Sequence, residues 1–310
     1  MSKPNIIVIC GPTGLGKTAV AIELAIELHG EIIGADSIQI CRHMDIGTAK
    51  ATIDEQSQVP HHLIDIVDPD EPFDAAMFAK MAGEMIMKLH IEGIVPFVVG
   101  GTGLYIKALV HGLSHAGPAD TDIRKRLKET QILHGSGFLY ERLGKCDPVA
   151  AERIHPNDTY RIIRALEVYE ATGMAISQYS EDHGFEKRQF NVLKIGLHME
   201  REVLYDRIDR RVDAMIDKGL VDEVKMLLGM GYSEDLKSMQ SIGYRHMVDF
   251  IKGRITWDET IRTLKRDTRR YAKRQMTWFK ADPEIVCAAP EQLDYIKEII
   301  INFLQAAKRQ

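Results

Sequence analysis

An unbroken apolar run, Ile6-Ile7-Val8-Ile9-Cys10, gives way to Gly11-Pro12-Thr13-Gly14-Leu15-Gly16-Lys17-Thr18, and a helical pattern follows from Ala19 to Leu28. A β-branched run without polar alternation is the pattern of a strand buried on both faces. Glu31-Ile32-Ile33-Gly34-Ala35 and Ile94-Val95-Pro96-Phe97-Val98-Val99 repeat the theme, and Leu63-Ile64-Asp65-Ile66-Val67 predicts a further strand between them, closed by Asp68-Pro69. Phe73, Met77, Met81, Met85 and Leu89 recur at every fourth position and predict a helix with that stripe buried, the methionines acting as core filler. Alternating strand and helix predicts a mainly parallel sheet covered on both faces. Ligands on such sheets sit at the carboxyl ends of the strands. Three polar clusters fall there: Gly11 to Thr18, Asp36 to Gln39, and Gly100 to Gly103.

The pattern changes near Gly117-Pro118. From Asp122 to Ser180 there are helix signals and no strand signal, with breaks at Asp147-Pro148 and Pro156-Asn157-Asp158. Strand character returns at Phe190 to Leu197. Residues 117–185 therefore read as a small all-helical insertion in an α/β domain made of 1–116 and 186–310. Beyond the insertion, helices are expected around Tyr205 to Ile216, stopped by Gly219, from Val221 to Leu228, and from Trp257 to Lys280. A short strand at Ile285-Val286-Cys287 and a helix from Leu293 to Leu304 complete a helical C-terminal region.

Composition narrows the class. The chain has 310 residues, 45% of them hydrophobic and 27% charged, as in a soluble globular protein of one large or two medium domains. No apolar stretch reaches the ~20 residues that span a bilayer, and Met1-Ser2-Lys3-Pro4-Asn5 runs straight into the first strand, so neither a membrane anchor nor a leader is expected. Cys10, Cys41, Cys146 and Cys287 are scattered without a C-x-x-C pair, which predicts reduced thiols in a cytoplasmic protein. The formal net charge of −5 leaves nucleic-acid binding to local basic patches.

The first polar cluster is a G-x-x-x-x-G-K-T phosphate loop in its proper strand-to-helix context. Its glycines let the backbone wrap an anion, the helix N-terminus adds partial positive charge, Lys17 adds a full charge, and the Thr18 hydroxyl can ligate magnesium. Nucleotide hydrolases normally end an apolar strand on a magnesium-positioning Asp. Here the corresponding strand ends in Gly100-Gly101-Thr102-Gly103, and no N-K-x-D motif for guanine is present. The acid sits instead at Asp36. A carboxylate there can take a proton from an acceptor while the loop holds a phosphate-bearing donor; a helix cap, shared with Ser37, is the structural alternative. Thr102 either faces the same anion or serves turn chemistry alone. In the run Arg262, Lys265, Arg266, Arg269, Arg270, Lys273 and Arg274, interleaved with Tyr271, Trp278 and Phe279, positions 262, 266, 270 and 274 share a helix face. RNA contact and a solvated basic face explain that run equally well.

Taken together these stretches resemble the tRNA dimethylallyltransferase (IPP transferase) family. The resemblance rests on the phosphate loop, Gly34-Ala35-Asp36-Ser37-Ile38-Gln39, Met44-Asp45-Ile46-Gly47-Thr48-Ala49-Lys50, Pro60-His61-His62-Leu63-Ile64-Asp65 and Val99 to Tyr105. It continues through His155-Pro156-Asn157-Asp158 with Arg161 to Leu166, Gln240-Ser241-Ile242-Gly243-Tyr244, and Arg269 to Phe279. It implies transfer of a dimethylallyl group from dimethylallyl diphosphate to the exocyclic amine of adenosine 37 in the tRNA anticodon stem-loop, with release of diphosphate and help from Mg2+. By the same resemblance Asp36 matches the general base, Thr102 a residue at the reaction centre, and Arg211 an arginine that helps hold the diphosphate, while Gly11 to Thr18 match the diphosphate site. Asp36, Ser37, Ile38, Gln39, Thr102, Arg124, Arg161, Arg164, Gln240, Gly243, Tyr244 and Arg245 match tRNA-contacting positions. Cys41, His43 and Ala51 depart from the family's usual tyrosine, glycine and proline. No obligate protein partner is implied. The rival readings are an adenylate prenyltransferase acting on free AMP, ADP or ATP, a small-molecule P-loop kinase, and a non-catalytic RNA-binding module. The helical insertion and the basic terminal helix favour the tRNA enzyme over the first of these.

Overall fold

The computed structural model describes residues 3–112, 120–182 and 189–308. The chain divides into two compact units, residues 1–110 with 188–310, and residues 111–187. The insertion boundaries expected at 117 and 185 lie outside the described residues.

The larger unit is built on six parallel strands. They are β1 (Asn5–Cys10), β2 (Gly30–Gly34), β3 (His61–His62), β4 (Val95–Gly100), β5 (Asn191–Leu197) and β6 (Ile285–Ala288), in the order β3-β2-β4-β1-β5-β6. The expected parallel sheet is thus present. β1 is central and wholly buried from Ile6 to Cys10, which explains its unbroken β-branched sequence. Helices α1 (Lys17–Leu28), α2 (Ile53–Gln58), α3 (Ala75–Glu92) and α4 (Gly103–His111) alternate with the first strands. One core joins Ile7, Ile9 and Phe97 of the sheet to Leu24 of α1 and to Ile296 and Ile300 of the last helix.

Two expectations about this half fail for local reasons. The third strand is only His61–His62, with an isolated bridge between Cys41 and Val67. Leu63 and Asp65 have φ of 58° and 54°, and left-handed residues cannot continue a strand. In α3 the buried stripe is Ala75, Phe78, Ala82, Ile86 and Leu89, while Met77 is exposed. A four-residue repeat drifts about 40° per step on a 3.6-residue helix, so a run of such steps leaves the core face. Spacings of three and four keep the true stripe in register.

The smaller unit contains α5 (Thr121–Cys146), α6 (Pro148–Arg153), α7 (Thr159–Thr172) and α8 (Ile176–Asp182), and no strand among the described residues. The anticipated breaks are N-caps: Asp147 accepts from Ala150 N–H, and Asp158 from Arg161 N–H. Leu127, Leu139 and Leu143 of α5 pack with Ile162, Ile163 and Leu166 of α7. α5 is interrupted at Gly135, whose φ is 81°.

After β5 come α9 (Arg201–Asp217), α10 (Leu220–Gly229), α11 (Tyr244–Ile251), α12 (Trp257–Lys280) and, beyond β6, α13 (Leu293–Lys308). α12 has the bounds its sequence predicts, because Thr256 accepts from Glu259 N–H at its start. A second core in this unit gathers Val224 and Leu227 of α10, Tyr244, Met247 and Val248 of α11, and Ile40 and Met44. Among the described residues no helix is long and apolar enough to cross a membrane.

Candidate active site

β2, β4 and β1 are neighbours and parallel, with Gly34 opposite Val99 and Cys10 opposite Gly100. Their carboxyl ends are therefore level, and the three polar clusters meet on one edge of the sheet. They are stitched together directly. Thr102 N–H donates to the Ala35 carbonyl at 3.2 Å, and the Thr102 hydroxyl oxygen accepts from Ser37 N–H at 3.1 Å. A side chain at Gly100 would lie 2.1 Å from the Ala35 carbonyl oxygen, so glycine is what allows the two loops to close.

In the phosphate loop Gly14 and Gly16 have φ of 88° and 77°. Left-handed glycines of this kind are what an anion cradle requires. Lys17 Nζ donates to the Pro12 carbonyl at 2.9 Å. Its ammonium is pulled down to a pKa of about 8, first by burial and then by the charge of Arg211, with Asp36 acting in the opposite sense. Thr13 N–H is already committed, donating to Gln275 Oε1 at 2.9 Å. That amide is therefore not available to a ligand.

Asp36 divides its labour between two oxygens. Oδ1 accepts from Ile38 N–H at 2.9 Å and Gln39 N–H at 3.3 Å, which is the turn-capping role. Oδ2 takes no hydrogen bond from the described residues. Capping and base chemistry, alternatives in the sequence, are compatible in the structure. Arg211, from α9, is half-buried and close enough to Asp36 to feel its charge. Burial lowers its pKa and Asp36 opposes that shift, while Nη2 donates to the Thr48 carbonyl at 3.2 Å. Gln39 Nε2 donates to the Thr48 and Ala49 carbonyls at 3.1 and 3.3 Å. His43 is left-handed, with φ of 65°.

Sequence reasoning did not single out Gln275 on α12. It is buried, and besides accepting from Thr13 it donates from Nε2 to the Gly101 carbonyl at 2.9 Å. One amide side chain so ties the phosphate loop to the Thr102 turn. α12 presses close: a side chain at Gly101 would meet Gln275 Nε2 at 2.3 Å, and one at Gly103 would meet Trp278 Nε1 at 2.1 Å. Tyr271, one turn earlier, has its phenol pushed well up, chiefly by burial and then by the charge of Asp36.

The residues matched to tRNA contacts fall into two groups. Gln240 is exposed and Arg245 is partly exposed, its guanidinium 2.8 Å from Asp267. Gly243 and Tyr244 are buried. Tyr244 has no exposed surface, and its hydroxyl donates to Glu223 Oε1 at 2.6 Å. In the smaller unit Arg161 is 63% exposed, whereas Arg124 and Arg164 are both held by the buried Glu167. In the basic run of α12, Lys265 pairs with Asp213, Arg269 with Asp209, Arg266 with Asp267 and Arg262 with Glu259. Much of that charge is internal to the fold.

Among the described residues no three His, Cys, Asp or Glu side chains gather as a metal cage. Magnesium needs no such cage where substrate phosphates and water supply most of its ligands. Thr18, in the first turn of α1 just after the left-handed Gly16, is the phosphate-loop hydroxyl that could supply one such ligand.

The family model described as IPP transferase matches residues 39–282, and one described as isopentenyl transferase matches residues 4–65. A tRNA dimethylallyltransferase of Desulfosudis oleivorans is 51% identical over 308 residues, covering 99% of this chain and 98% of its own. The crystal structure of a full-length tRNA isopentenylpyrophosphate transferase from Bacillus halodurans has a TM-score of 0.74 at 43% identity, with 99% of both chains covered. A eukaryotic dimethylallyltransferase captured crystallographically acting on tRNA has a TM-score of 0.78 at 29% identity, covering 94% of this chain and 75% of its own. By sequence and by fold, the chain belongs to the IPP transferase family, the tRNA dimethylallyltransferases.

Proposed function

We propose that this protein transfers a dimethylallyl group from dimethylallyl diphosphate to N6 of adenosine 37 in a tRNA anticodon stem-loop. The observation that carries this reading is the pairing of an anion cradle with an open carboxylate. Lys17 of the phosphate loop and Arg211 of α9 both lie close enough to Asp36 to feel its charge, and Asp36 Oδ2 takes no hydrogen bond from the described residues. The end of β4, where a nucleotide hydrolase carries its metal-binding Asp, holds Gly100.

In the reaction the amide groups of Gly14 to Thr18, with Lys17 and Arg211, bind the donor diphosphate. Asp36 takes a proton from the exocyclic amine as the new carbon–nitrogen bond forms and the bond from carbon to the bridging diphosphate oxygen breaks. An adenine amine is a poor nucleophile because its lone pair is delocalised into the ring, so this proton transfer is what makes it competent. The Thr102 hydroxyl, already accepting from Ser37 N–H, keeps its own hydrogen to offer to the acceptor or the leaving group. Mg2+, held by Thr18 and the diphosphate, would neutralise the charge that develops on the leaving group. The target base must leave its stack to reach a strand-end site, at a cost of a few kcal/mol. Gln39, Gln240 and Arg245 are suited to hold the nucleotides around it, and in the smaller unit Arg161 offers an exposed guanidinium to RNA.

The test compares acceptors side by side. The protein with labelled dimethylallyl diphosphate is expected to prenylate an unmodified anticodon stem-loop, with adenosine at position 37 and not with guanosine there. Equal transfer to free AMP supports the adenylate prenyltransferase instead. Turnover of labelled ATP without prenyl transfer supports a kinase.

A further inference from the structure

Glu223 lies on α10, far along the chain from the phosphate loop, and its carboxylate is buried with four donors around it. Oε2 accepts from the N–H groups of Asp45 and Ile46 at 2.9 and 2.7 Å. Oε1 accepts from Gly47 N–H at 3.0 Å and from the Tyr244 hydroxyl at 2.6 Å. Burial and the neighbouring carboxylate push the Tyr244 phenol far above its ordinary range, so it remains a donor. The turn and the tyrosine also interlock sterically, since a side chain on Gly47 would come within 2.5 Å of the Tyr244 ring. Lys50 clamps the far end of the turn through Asp45, Asp65 and the Cys41 carbonyl. The next two carbonyls in the chain, Thr48 and Ala49, are the acceptors for Arg211 and Gln39. The Asp45 to Lys50 motif and the Ser241 to Tyr244 motif are therefore two halves of one assembly closed by Glu223.

We propose that Glu223, with Tyr244, is a positioning residue. It fixes the 45–49 turn so that the Thr48 carbonyl aims Arg211 at the donor diphosphate and the Thr48 and Ala49 carbonyls aim Gln39 at the acceptor. The proposal rests on the reading of the phosphate loop as a diphosphate site. Its consequence is specific: Glu223 should matter to anion binding only through Arg211. A glutamine at 223 must turn its NH2 toward at least one backbone N–H, because each carboxylate oxygen faces two donors. The turn then loses its register while the core keeps its volume.

The test is a double-mutant cycle of Glu223→Gln with Arg211→Ala, read by calorimetric binding of inorganic diphosphate with magnesium and by prenyl transfer to a stem-loop. Glu223→Gln is expected to weaken diphosphate about tenfold, equivalent to 1.4 kcal/mol, and to leave diphosphate affinity unchanged in the Arg211→Ala background. Tyr244→Phe removes one donor of the four and serves as the milder variant should Glu223→Gln fail to fold. It is expected to give a smaller loss with the same non-additivity. Additive losses, or diphosphate affinity unaffected by whichever variant is folded, would overturn the proposal. Wild-type protein that binds diphosphate normally but transfers no prenyl group would count against the proposed function and leave the Glu223 test intact.

Discussion

Replacing Gln275 by alanine removes the side chain that bridges the phosphate loop and the Thr102 turn. Two hydrogen bonds of 2.9 Å are lost, one from Thr13 N–H and one to the Gly101 carbonyl. Each buried group left without a partner costs about 1–3 kcal/mol, so with Thr13 at the low end of that range, being only partly buried, the sum is roughly 2–4 kcal/mol. For a unit of this size that lowers the melting temperature by roughly 5–15 °C. The functional consequence is separable from the stability loss. With the amide gone, the anion cradle and the Thr102 turn lose their fixed spacing. A misplacement on the order of 1 Å at a reacting centre costs about 10²-fold in rate. Gln275→Glu sharpens the test, because it keeps an acceptor for Thr13 while setting a carboxylate against the Gly101 carbonyl and beside the diphosphate. The assays are thermal unfolding, calorimetric donor binding and single-turnover prenyl transfer, all well below the variant's melting point. Alanine is expected to lower both melting temperature and turnover, and glutamate to lose most donor affinity. A Gln275→Ala protein with wild-type melting temperature and wild-type turnover would refute the bridge.

Burial, and then the charge of Arg211, pull the Lys17 ammonium down to a pKa of about 8, and only that ammonium form attracts diphosphate. Donor affinity should therefore fall as pH rises through about 8, and binding there should take up a proton because the bound anion raises the pKa again. Calorimetry in buffers of differing ionisation heat reads that uptake directly, and flat affinity without it would contradict the assignment. Gly103→Ala sets a methyl group against Trp278, and overpacking of this kind costs about 1–3 kcal/mol; the double variant Gly103→Ala/Trp278→Leu should recover part of the lost melting temperature. Arg161→Ala and Arg245→Ala should each weaken stem-loop binding and reduce its salt dependence by about one unit of slope, with donor affinity unchanged; a salt slope equal to wild type would remove that arginine from the interface.

The parts of this site that the sequence makes legible are local ones. Strand, glycine loop and helix announce the phosphate loop within about twenty residues, and the parallel sheet then brings Asp36 and Thr102 to the same edge. α12 runs over the residues expected of it, Trp257 to Lys280, and Thr256 caps its start. The hidden parts are held by partners remote in sequence. Gln275 meets Thr13 across 262 positions, and Glu223 meets Ile46 across 177. No periodicity records such pairs. The third strand fails for the opposite reason, since its apolar residues are right and its backbone is not: Leu63 and Asp65 adopt left-handed angles that no composition rule anticipates. The basic run is ambiguous in sequence because two of its acids, Asp209 and Asp213, lie on α9.

The most direct measurement of the central claim is the single-turnover rate of Asp36→Asn at saturating dimethylallyl diphosphate and stem-loop. Asparagine keeps an oxygen for Ile38 and Gln39 N–H, so the turn that Asp36 caps is preserved while its basicity is lost. The expected result is a rate lowered by about 10²–10⁴-fold, the usual worth of general-base help, with donor and RNA affinities close to wild type. A variant that turns over at the full rate once saturated, having lost only donor affinity, would make Asp36 a binding residue and contradict the mechanism.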